Sequence, residues 1–110
     1  GYCEGFTNDG LSYLARMSTV SHLSLRACPQ LGNAGLRNVT KMKGLTYLDL
    51  RGCEGISDHG LTYLAGMRSL QQIQLGGCSN LTAGAVRKLQ ASIPHARVVK
   101  DDLEWSYHQL

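Results

Sequence analysis

Two hydrophobic rhythms alternate along this chain. The segments SHLSLRA (21–27), TYLDLRG (46–52) and QQIQLGG (71–77) carry an apolar residue at every second position, the period of a strand with one buried face. Between them, GLSYLARM (10–17), GLRNVTKM (35–42) and GLTYLAGM (60–67) space their apolar residues by three, which puts one apolar stripe on a helix. The stripes are Leu11, Leu14 and Met17, then Leu36, Val39 and Met42, then Leu61, Leu64 and Met67. Thr7, Ser57 and Thr82 stand ahead of the helices as N-caps, with Asp9 and Asp58 near the positive helix ends; Gly32 is a weaker cap in the second unit.

The two rhythms recur together. Cys3, Cys28, Cys53 and Cys78 are 25 residues apart. Each is followed three residues later by an apolar side chain (Phe6, Leu31, Ile56, Leu81) and then by Gly10, Gly35, Gly60 and Gly84, the last one residue early. A unit of this size cannot bury its own stripe, so it must stack on its neighbours. Stacking makes a parallel sheet with strands about 4.8 Å apart and helices behind it. Helices are the bulkier elements, so the stack curves with the strands on its concave side. The expected fold is an α/β solenoid, a right-handed βα superhelix, over residues 1–100 as about four units with the first incomplete. Residues 101–110 form a tail whose Leu103, Trp105 and Leu110 would cover the last unit.

The run LTYLDLRGCEGISDHGLTYLAGM (45–67) follows the pattern LxxLxLxxCxxxxDxGLxxLA. It resembles the cysteine-containing leucine-rich repeat, typical of F-box proteins with such repeats, the substrate receptors of cullin–RING ubiquitin ligases. LTAGAVRKLQASIPHARV (81–98) is similar to their closing repeat. The likeness covers roughly residues 3–99. More distantly, short arrays of this kind occur in mitochondrial factor-B-like proteins. The resemblance implies a non-catalytic module that recognises a protein partner, with no cofactor. An accessory subunit of a mitochondrial complex is the alternative, and the unbroken period also fits an engineered repeat fragment. The chain opens in mid-unit at Gly1-Tyr2-Cys3 without an F-box segment. An uncapped end of this kind favours self-association or a neighbouring subunit.

Candidate chemistry is sparse. Zinc sites use close cysteine pairs, whereas these cysteines recur once per unit and are expected to form a buried ladder of unpaired thiols. Such thiols point to a reducing compartment: cytoplasm or nucleus, with the mitochondrion as alternative. His22, Ser24 and Asp49 are the residue types of a hydrolytic triad, yet they stand on an open sheet with no oxyanion donors aimed at them. No catalytic, cofactor-binding or metal site is expected. The strand residues that leave the core form columns: His22, Tyr47 and Gln72; Ser24, Asp49 and Gln74; Arg26, Arg51 and Gly76. All of these but Gly76 are the expected partner-binding residues, with the Arg26–Arg51 pair suited to an acidic or phosphorylated patch. The alternative is that Asp49 neutralises one of these arginines and the face is merely solvated.

Charge adds little to this picture. The net charge of +3 comes from scattered lysines and arginines, with one Trp and one Phe. That is too dispersed for nucleic-acid binding, and no apolar run is long enough for a membrane span.

Overall fold

The alternating segments form strands, and the three-spaced segments 35–42 and 60–67 contribute helices. A computed structural model describes Arg16, residues 20–28 and residues 31–100. Cys3, the Thr7 cap, the first apolar stripe and the 101–110 tail lie outside the described residues. In chain order the elements are β1 (His22–Ser24), α1 (Asn33–Val39), β2 (Tyr47–Asp49), α2 (Asp58–Leu64), β3 (Gln72–Gln74), α3 (Ala83–Ser92) and β4 (Arg97–Val99). The four strands make one parallel sheet in sequence order.

The register equals the repeat. His22 lies beside Tyr47, Tyr47 beside Gln72, and Gln72 beside Arg97. Leu23, Leu48, Ile73 and Val98 therefore form one buried row. A second row, Leu25, Leu50 and Leu75, is also buried, and its fourth place is taken by Lys100, which is only 1% exposed. Backbone bonds carry the pairing past the short strands. Leu25 N–H donates to the Asp49 carbonyl at 2.8 Å, Ala27 N–H to that of Arg51 at 2.7 Å, and Gly52 N–H to that of Gly76 at 2.8 Å. The chain then turns sharply at a left-handed residue in each coil, with φ of 56° at Ala27 and 77° at Gly52 and Gly77.

The two shorter helices begin two residues before their glycines and end three residues before the methionines. Residues spaced by three drift around an α-helix of 3.6 residues per turn. The chain answers by tightening after the helix: Met42 N–H reaches the Val39 carbonyl and Met67 N–H that of Leu64, both at 3.0 Å. Met42 and Met67 are thereby buried with the rest of their stripes. Helix α2 approaches α1 closely. A Cβ at Gly60 would overlap Asn33 Oδ1 and fall 2.8 Å from Leu36 Cδ1, so any larger residue there must push these side chains aside.

The cysteines face inward. Cys28, Cys53 and Cys78 are buried, and the thiols of Cys53 and Cys78 each donate to a leucine carbonyl of the preceding unit, Leu25 and Leu50, at 2.9 Å. Burial raises the pKa of both, that of Cys78 to about 11. Both are free thiols.

Candidate functional site: the open face of the sheet

With the leucine rows turned toward the helices, the alternate strand residues face away from the core. Three rows cross the strands. The first is His22, Tyr47, Gln72 and Arg97, and the second is Ser24, Asp49, Gln74 and Val99. The third, just past the strands, holds Arg26, Arg51 and Gly76. The expected columns are thus present as neighbours, and β4 adds Arg97 and Val99. The added strand was masked in the sequence because Lys100 stands where the alternation calls for leucine. Counting 25 residues on from Gln72 would have found it.

Exposure divides these residues. His22, Ser24, Arg26 and Arg97 are exposed, and Tyr47, Arg51, Gln72 and Gln74 are partly so. Asp49 is not: it is only 4% exposed. Its carboxylate is gripped by Arg51, whose Nε donates to Oδ1 at 3.0 Å and whose Nη2 donates to Oδ2 at 2.8 Å. The Arg51 backbone N–H adds a bond to Oδ1 at 3.1 Å. Burial alone would raise the Asp49 pKa; the hydrogen bonds from Arg51 and the charges of Arg51 and Arg26 outweigh it and hold the carboxyl below its ordinary value. Asp49 is therefore a support that fixes Arg51 rather than a surface contact, and the alternative of a neutralising pair describes Asp49 and Arg51.

The first row has a different character. The rings of His22 and Tyr47 stack with centroids 5.7 Å apart and planes inclined by 27°. His22 Nδ1 lies 3.2 Å from Ser21 Oγ, and both Asp49 oxygens accept from Arg51. The three residue types of a triad are therefore near one another without being wired as one. The side chains of Gln72 and Arg97 and the hydroxyl of Tyr47 have no hydrogen-bond partner among the described residues.

The helix side offers shallower features. A groove of about 280 Å³ between α2 and α3 is lined by Leu61, Ala65, Ala85 and Leu89, with Asp58 and Lys88 at its edges. His59 and Tyr63 on α2 touch edge to face, with Nε2 3.1 Å from the hydroxyl. Among the described residues no group of three or more His, Cys, Asp or Glu side chains is placed to hold a metal ion, and no helix is long and apolar enough to cross a membrane.

A family model described as a leucine-rich repeat matches residues 44–65. None of the curated proteins matches the chain. A chain in the crystal structure of the Rad7 and Elc1 complex in yeast is similar in fold, with a TM-score of 0.69 at 20% identity. The likeness covers 88% of this chain and 28% of that one, so the present chain spans under a third of its relative. Repeat model, parallel sheet and structural likeness agree on a leucine-rich-repeat solenoid.

Proposed function

With a leucine-rich-repeat solenoid as the premise, we propose that this chain is a non-catalytic protein-interaction module whose partner lies on the open face of the sheet. At finer grain it serves as the substrate-recognition repeat region of an F-box-type ubiquitin ligase receptor, acting in cytoplasm or nucleus. The observation that carries the reading is the row Tyr47, Gln72 and Arg97: polar groups held on rigid neighbouring strands with their hydrogen-bonding capacity unspent. Side chains already ordered by a sheet lose little entropy when a partner arrives. Tyr and Arg are also among the residue types that most often dominate binding energy. The cysteine-type repeat supports the finer reading, as does likeness to a chain solved in a complex with another protein.

Affinity capture with the intact parent protein, read by mass spectrometry, tests both levels. The expected result is cullin–RING ligase components together with a substrate, and loss of the substrate alone in Tyr47→Ala and Arg97→Ala. Subunits of a mitochondrial complex in their place would overturn the ligase reading. Partners retained in both variants but lost in Arg87→Glu, on the exposed side of α3, would move the interaction to the helices.

A further inference from the structure

The open face has a direction, set by which of its charged groups are already satisfied. Arg51 is held by Asp49, while Arg97 is exposed and has no hydrogen-bond or ion-pair partner among the described residues. Asp49 is neutralised as described, and the Asp58 carboxylate accepts from the Thr82 backbone and hydroxyl at 2.9 and 2.8 Å, beside the helices. What the first row presents to solvent is thus positive at the β4 end and aromatic at the β1–β2 end.

Resting on the reading of this face as the partner surface, we propose that the row Tyr47–Gln72–Arg97 recognises an extended acidic segment of a partner protein that lies across the strands. A carboxylate of the segment pairs with Arg97. An apolar or aromatic side chain rests on the His22–Tyr47 rings, and the backbone between them bonds to the Gln72 amide, which both donates and accepts. The spacing follows from sheet geometry. Tyr47 and Arg97 are two strands apart in register, or about 10 Å, and a segment extended as a polyproline-II helix advances about 3.1 Å per residue and returns to the same face every three residues. Carboxylate and apolar residue are therefore three positions apart. A nucleic-acid strand fits the row less well. Its phosphates need a cation at each step, whereas Tyr47 and Gln72 occupy the places beside Arg97.

The test is selection of a displayed library of random twelve-residue peptides on the full chain, followed by fluorescence anisotropy with the selected peptides. The expected result is an enriched Asp or Glu three positions from an aromatic or large apolar residue. Affinity should fall about tenfold or more in Arg97→Glu and Tyr47→Ala, as loss of a charged or aromatic hot-spot contact does, and stay unchanged in Arg87→Glu. A peptide with lysine in place of its carboxylate should regain affinity for Arg97→Glu, an outcome that a misfolded variant cannot give. Neutral or basic motifs that remain sensitive to Tyr47→Ala would overturn the acidic chemistry and leave the face standing. Motifs sensitive to Arg87→Glu and indifferent to Tyr47→Ala would overturn the face itself. Absence of any enriched motif, or tighter binding of a single-stranded oligothymidylate to this row, would overturn the proposal.

Discussion

Asp49 carries its charge on the solvent side of β2, yet it is nearly inaccessible, because Arg51 folds over it and supplies three donors. Its lowered pKa makes a pH prediction. A carboxyl that loses its proton more readily when folded stabilises the fold above the unfolded value, about 3.9. That stability is lost as pH falls through the lower folded value. Urea unfolding from pH 5 down to pH 2.5 should show wild type losing its advantage over Asp49→Asn across this window. A difference between the two proteins that stays constant over the range would show that the ion pair is not the cause. Arg51→Ala, by the same reasoning, costs about 1–3 kcal/mol, because a buried carboxylate loses donors. This alters the expectation for the open face. Arg51 cannot be removed as a simple surface residue, and Tyr47 and Arg97 are the cleaner probes. Ala27 offers the opposite sign. At φ 56° it holds the conformation that Gly52 and Gly77 adopt in the following coils. Ala27→Gly should raise stability by up to about 1 kcal/mol, since the left-handed region penalises a Cβ. A lower midpoint in thermal unfolding would count against this.

Helices and strands were legible to different depths. Period-two alternation located β1, β2 and β3 and their register, because one buried face fixes a strand's pairing. The fourth strand was hidden by Lys100. Helix ends were harder to read, since three-spaced apolar residues do not say where the α-helix yields to a tighter turn. The caps show a similar gap. Thr82 caps α3 through a bond from Ala85 N–H at 3.2 Å, but Ser57 makes no such bond to its own helix. Its hydroxyl instead accepts from Asn33 Nδ2 at 2.9 Å, and its backbone N–H donates to Asn33 Oδ1 at 3.1 Å. Asp58 and Thr82 repeat the arrangement one coil later. The first residue of one helix thus anchors the N-cap of the next, a contact 24 residues long that no local pattern reveals. Gly60 lies against this anchor. Gly60→Ala must displace the Asn33 side chain and should destabilise by about 1–3 kcal/mol, the usual cost of overpacking. A crystal structure of the variant with Asn33 still bonded to Ser57 would contradict the account.

At the scale of the whole molecule, stability comes from coils that shield one another, so a side chain's contribution depends on how many coils enclose it. The row Leu23, Leu48, Ile73 and Val98 provides a comparison within one chemistry. Leu48 is fully buried, with β1 on one side and β3 on the other, while Leu23 is 9% exposed and pairs through β2 alone among the described strands. Truncation removes the same atoms at both positions, so the difference reports the cavity each site leaves. A site walled on both sides collapses less, and Leu→Ala costs span about 2–5 kcal/mol for that reason. Leu48→Ala should therefore lie toward the upper end of this span and Leu23→Ala toward the lower, as read from urea midpoints at unchanged m-value. Equal costs would mean that the β1 edge is as well enclosed as the centre. Partner binding should be affected in the reverse order, because a loosened β1 tilts the His22–Tyr47 rings while the centre holds Gln72 and Arg97 in register.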